Sequence, residues 1–78
     1  MNGICRLCDM NSGETGEIAE ISHSCKIRQR LSDLGFICGT KIECLTKSPL
    51  GDPTAFLVRG TVIALRREDS RFVKVRVI

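Results

Sequence analysis

Cys5-Arg6-Leu7-Cys8 forms a C-x-x-C pair, and His23-Ser24-Cys25 places two further donors downstream. Thiolate and imidazole are the ligand types that suit Zn²⁺ or Fe²⁺ when four of them converge tetrahedrally. The spacing argues against convergence. A structural zinc site normally repeats the C-x-x-C knuckle, and H-x-C is not that repeat. If Ile4 to Leu7 were extended, Cys5 and Cys8 would lie about 10 Å apart and face opposite sides. Only a tight turn at Arg6-Leu7 would bring the sulfurs together. Incidental reduced thiols are therefore the favoured reading, with Cys5, Cys8, His23 and Cys25 as the alternative metal set. Cys38 and Cys44 read as a loop and a core residue.

Catalytic chemistry finds little to use. His23 is the single histidine, and its sequence neighbours are Ser22, Ser24 and Cys25, with no acid beside them. A triad could assemble only in space. No G-x-x-x-x-G-K-[ST] run exists, so nucleotide is not bound in the P-loop manner. The chain is not expected to be an enzyme. Arg66-Arg67 is the most pointed charged pair, open to an acidic partner surface or, structurally, to capping of strand carbonyls or simply facing water; the structural role is favoured for Arg66.

The 78 residues suit one small domain spanning 1–78, near the lower limit for a single apolar core. With 42% hydrophobic and 27% charged residues the composition is globular, not disordered. No apolar run approaches the roughly 20 residues that cross a bilayer. No basic-then-apolar leader opens the chain, so a cytoplasmic location is expected and the five cysteines are expected to be reduced. Charge is uneven: Met1 to Gly39 carries four basic and five acidic residues, Thr40 to Ile78 eight and four. Nucleic-acid binding would add a denser basic patch with stacking aromatics, and there are three Phe and no Trp or Tyr. No nucleic-acid partner is expected.

The elements that must position these residues are organised around Arg28 to Ile42. Ile27, Leu31 and Leu34 recur at i, i+4 and i+7, one apolar stripe of a helix, expected to face the core. Gly35 follows where a helix end wants a left-handed residue. Ser22 and Ser24 are candidate N-caps. Gly39 punctuates a loop, and Thr40 to Lys47 alternates as a strand with Ile42, Cys44 and Thr46 on one face. Upstream, Met1 to Arg6 is a short lead-in, apolar at Ile4 and open to an edge strand, and Leu7 to Met10 is a single helical turn. Glu17 to Ser22 is a strand with Ile18 and Ile21 inward; their spacing of three breaks the period of two and predicts a bulge near Ala19 or Glu20. Downstream, Ser48 to Pro53 is a turn-rich loop, Phe56 to Arg59 a strand, Gly60 a hairpin or bulge residue and Thr61 to Ile63 the return. Ala64 to Ser70 has the polarity of a short helical turn, and Val73, Val75 and Val77 give one face of a last strand. The sum is a mainly β chain of about five short strands and one or two short helices, which favours a small SH3-like barrel.

Two runs carry a family resemblance. The first is Leu7-x-x-Met10-x-x-Gly13-x-x-Gly16-x-Ile18-x-x-Ile21, then Arg30-Leu31-x-x-Leu34-Gly35-Phe36-x-x-Gly39-x-x-Ile42. The second is Pro49-x-Gly51-Asp52-Pro53, Val58-x-Gly60-x-x-Ile63-Ala64-Leu65-Arg66 and Val73-x-Val75. Together they resemble the FeoA family, ferrous iron transport protein A, from about Leu7 to Val75. Met10 stands where the family usually has Leu, and the cysteines are not family features. The resemblance implies an SH3-like barrel acting as a cytosolic accessory of the ferrous iron transporter FeoB, a membrane protein with a cytosolic GTP-binding domain. It implies protein–protein interaction in iron homeostasis, with contact to the membrane only through that partner. Transition metal binding or sensing through cysteine and histidine remains the alternative. Few aromatics are available to grip polyproline, so a proline groove is not expected.

Overall fold

The computed structural model describes residues 3–47 and 52–78. Among them lie six strands: β1 (Ile4–Arg6), β2 (Thr15–Ile21), β3 (Lys41–Lys47), β4 (Thr54–Val58), β5 (Thr61–Leu65) and β6 (Val73–Val77). Two short helices, α1 (Arg28–Asp33) and α2 (Arg67–Ser70), and a 3₁₀ turn at Leu7–Asp9 join them. All strand pairs are antiparallel, in the order β1-β6-β2-β3-β4-β5. The mainly β expectation holds, with six strands where about five were expected, because the Ile4 lead-in pairs with β6 as a three-residue edge strand.

One face of this curved sheet wraps a single core. Phe56 and Val58 of β4, Val73 and Val75 of β6, Ile18 of β2 and Ile42 of β3 are all buried. Leu7 and Met10 close one end from the 3₁₀ turn, and Leu31 and Phe36 close another. The bulge read from the Ile18/Ile21 spacing is present: the β2–β6 register shifts between Ile18 and Glu20. A second bulge was not anticipated. The β3–β4 register shifts between Cys44 and Thr46, so Leu45 is the extra residue and Thr46, expected on the face of Ile42 and Cys44, is exposed. Gly16 fits where β2 and β6 approach closely: a Cβ there would meet the Arg76 carbonyl oxygen at 2.8 Å.

The helix stop falls where the sequence put it, but the helix is shorter than its stripe. Leu34 is the C-cap and Gly35 follows at φ 105°. The Phe36 N–H donates to the Leu31 carbonyl at 2.9 Å and the Gly35 N–H to the Ser32 carbonyl at 3.1 Å, the paired bonds of a Schellman end. Leu31 and Phe36, both fully buried, supply its apolar contact. The expected burial of Leu34 is corrected: it is 41% exposed. With Ile27 acting as the N-cap, only Arg28–Asp33 is helical, and the turn at Gly35 sends Phe36, not Leu34, into the core. Ser22 and Ser24 do not cap this helix either. The Ser22 Oγ accepts from the Ser24 N–H at 3.1 Å, closing a local turn ahead of α1.

The Ser48 to Gly51 part of the turn-rich loop, with Pro49 and Gly51 of the family pattern, lies outside the described residues. β4 and β5 are joined by the two-residue turn Arg59-Gly60, with φ 52° and 80°, the left-handed pair that matches hairpin twist.

Candidate functional site

The C-x-x-C pair straddles the junction of β1 and the 3₁₀ turn. Cys5 is half-buried opposite Val75, and Cys8 is buried. Cys25 belongs to the core cluster, whereas His23 is exposed on the turn before α1. Among the described residues, no three His, Cys, Asp or Glu side chains are grouped to hold a metal ion. Burial pushes the Cys5 thiol up, helped by Glu14, Asp9 and Cys8; burial, then Asp9, pushes Cys8 up. Both are held as neutral thiols at pH 7, the form that is the poorer ligand and nucleophile. Cys38 is exposed and its Sγ–H donates to the Ala19 carbonyl at 3.3 Å; Cys44 is in the core, as the sequence indicated.

Of the surface depressions among the described residues, two lie at the ends of the sheet order. A groove of about 750 Å³ runs over the outer face of β1, β6 and β2. Its charges are mixed across the strands: Lys74 stands between Arg6 and Glu20, and Arg76 stands opposite Glu17. Arg6 also pairs with Asp9 at 3.1 Å, an exposed contact of little energetic weight. The arrangement is a solvated, internally balanced face rather than a converging polar set.

The other depression is smaller and of a different character. It lies between α1 and the end of β5, about 240 Å³, and is floored by Ile27, Leu31, Leu34, Ala64 and Leu65. Arg30 rises on one side, Arg66 and Asp69 on the other. Neither the Arg30 nor the Arg66 guanidinium has an ion pair or hydrogen bond among the described residues. Among the described residues the Arg66 side chain caps no carbonyl; it is exposed, the water-facing form of the structural reading. By contrast, the Arg28 Nε–H donates to the Ile21 carbonyl at 3.4 Å, and Arg71 lies over the Phe72 ring, 4.8 Å from its centroid. This groove escaped sequence reasoning because it joins α1 to a strand that is distant in the chain. Its one sequence signal is that Leu34 and Arg66 both belong to the recurrent pattern without being needed for the core.

Among the described residues no helix is long and apolar enough to cross a membrane. Comparison with known proteins is consistent from end to end. A family model, the FeoA domain, matches residues 5–77. A Fe(2+) transport protein A/Fe(2+) transporter FeoB fusion protein of Porphyromonas gingivalis is 29% identical over 73 residues, covering 94% of this chain. The chain spans only 9% of that relative's length. The solution structure of FeoA from Chlorobium tepidum superposes with a TM-score of 0.86 at 29% identity, covering 94% of this chain and 70% of that one. A zinc complex of FeoA from Stenotrophomonas maltophilia, an SH3 domain protein, superposes with a TM-score of 0.78 at 26% identity, covering 90% and 87%. The six-stranded sheet is thus SH3-like, and with the family model matching nearly the whole chain, this protein belongs to the FeoA family, which is linked to ferrous iron transport.

Proposed function

We propose that this protein is a cytoplasmic accessory of a ferrous iron uptake system and acts by binding the cytosolic portion of a FeoB-type transporter. The observation that carries this reading is the Porphyromonas gingivalis fusion, in which a stretch similar to almost all of this chain is joined to a FeoB transporter in one polypeptide. Covalent linkage replaces a bimolecular encounter by a high effective concentration, which is useful when the free interaction is weak. These 78 residues carry a net charge of +3. Their exposed arginines and lysines would steer that encounter and fix its orientation.

Titration of the purified domain against the transporter's cytosolic portion, at low and high salt and in each nucleotide state, tests the proposal. Transient binding that weakens as salt rises is expected, because exposed charges are screened beyond about 8–10 Å at physiological ionic strength. Absence of binding in every nucleotide state would overturn it. Should one tightly held metal ion per chain accompany that absence, the alternative set of Cys5, Cys8, His23 and Cys25 would be the better account. That set would need a rearrangement bringing His23 to buried Cys25 and ionising Cys5 and Cys8.

A further inference from the structure

β5 ends the sheet. It pairs with β4 on one side, and among the described residues no backbone hydrogen bond is made from its other side. Terminal strands invite pairing with a foreign strand and are normally blunted by charge, proline or a bulge. β1, at the opposite end of the order, is three residues long and carries Arg6. β5 is Thr61-Val62-Ile63-Ala64-Leu65, free of charge, proline and glycine, in unbroken register with β4. Val62 is 61% exposed. The groove floored by Leu31 and Leu34 opens beside its Ala64–Leu65 end.

We propose that the outer edge of β5 is a strand-addition site for an extended, acidic segment of a partner protein, with aliphatic side chains at its centre and carboxylates towards its ends. Main-chain pairing would supply the affinity, and side chains on the inner face of the added strand would settle over Leu34 in the groove. Charge identifies the occupant. Arg59 precedes the strand, Arg66 and Arg67 follow it, and Arg30 overlooks the groove. The same charges reject a second copy of this chain. Antiparallel pairing of two β5 edges about Ile63 would bring the Arg59 turn of one copy towards the Arg66-Arg67 end of the other, twice over, and like charges brought together are destabilising. An acidic strand meets complementary charge at the same positions. This deepens the reading above by naming a surface, and it takes the partner from that reading.

The probe is a blocked synthetic peptide with a valine-rich centre and glutamates towards both ends, titrated into the ¹⁵N-labelled full chain. Amides of Thr61 to Leu65 should shift and exchange more slowly with solvent. Replacing glutamate by lysine in the probe should abolish the effect. Val62→Glu, an exposed change that puts the partner's own charge on the edge, and the double variant Arg30→Glu/Arg66→Glu should each weaken binding about tenfold or more. Shifts confined to the outer face around Lys74 and Arg76, or unchanged binding by Val62→Glu, would overturn the proposal. So would dimerisation of the free chain with protected β5 amides. The same variants separate the two readings. If the cytosolic portion of the transporter binds wild type and Val62→Glu equally, the surface is wrong and the functional reading stands. If the peptide binds at β5 and the transporter does not bind, the functional reading falls alone.

Discussion

The side chain of Arg59 lies across Gly35: a Cβ built on that glycine would sit 2.8 Å from Arg59 Cδ and 3.7 Å from Val58 Cγ1. The tip of the β4–β5 hairpin is thereby seated on the C-terminal end of α1. The contact ties the helix stop to the strand whose far edge is left open. It also explains why the two positive-φ features, Gly35 and the Arg59-Gly60 turn, occur together in space.

Gly35→Ala should destabilise the fold by about 1–2 kcal/mol, because φ 105° is a left-handed conformation that any Cβ opposes. The Arg59 contact is the lesser part of that loss, since the far end of a flexible side chain yields easily. Urea denaturation of Gly35→Ala in the wild-type and Arg59→Ala backgrounds distinguishes the two. A loss that disappears in the Arg59→Ala background would show that the contact, not the backbone, demands glycine.

Leu31 and Leu34 lie on one helical stripe in the sequence, yet their removal should have very different consequences. Leu31 is fully buried, and Leu31→Ala should cost about 2–5 kcal/mol. Leu34→Ala should cost no more than about 1 kcal/mol, as expected of a half-exposed position away from the core. Thermal or urea melts of the two variants check this. Equal losses would place Leu34 in the core after all.

That contrast marks where the sequence was legible. Local signals were read correctly when the physics is local: a left-handed stop needs glycine at Gly35, and a spacing of three between Ile18 and Ile21 in a strand demands a bulge. The same logic failed at Leu34, where periodicity states which residues share a face but not how many turns the helix completes. Thr46 was misplaced for a related reason, since alternation runs on in the sequence while the bulge after Cys44 interrupts it in the strand pair. The groove and the open edge were not legible at all. Which strand ends a sheet is set by non-local pairing, and nothing within Thr61 to Leu65 except its lack of charge distinguishes an edge from a centre.

The thiols should separate by reactivity. Cys38 is exposed, whereas Cys5 is half-buried and Cys8 buried, both with their acidity weakened by burial and neighbouring carboxylates. Iodoacetamide at pH 7 should label Cys38 first, with Cys5 and Cys8 reacting only as pH rises beyond the ordinary thiol range of about 8.5. The linkage has a definite sign. A raised thiol pKa favours the protonated form in the native state, so this contribution to stability is intact below the unfolded-state pKa and is lost as pH rises through the folded-state value. Peptide mapping by mass spectrometry after timed labelling reads the order. Labelling of Cys5 or Cys8 ahead of Cys38 at pH 7 would contradict it.

Asp52 reaches α2 from fifteen positions earlier in the chain, its Oδ1 accepting the Arg67 N–H at 2.8 Å. The N-cap residue of this four-residue helix, Arg66, offers no side-chain cap of its own, so an acceptor brought from the start of β4 takes the place of the usual Ser, Thr, Asp or Asn. Such a bond anchors the β5–β6 connection, and with it Arg66 and Asp69 at the rim of the groove. Asp52→Ala should therefore destabilise by about 0.5–2 kcal/mol, while Asp52→Asn, which keeps an acceptor oxygen, should lose clearly less. Denaturation midpoints measure the stability difference, and amide exchange at Arg67 reports the bond itself. Faster exchange at Arg67 in Asp52→Ala but not in Asp52→Asn is the expected pattern. Equal losses in both variants would mean that the negative charge near the acidic first turn of α2, rather than the hydrogen bond, is what the fold uses at this position.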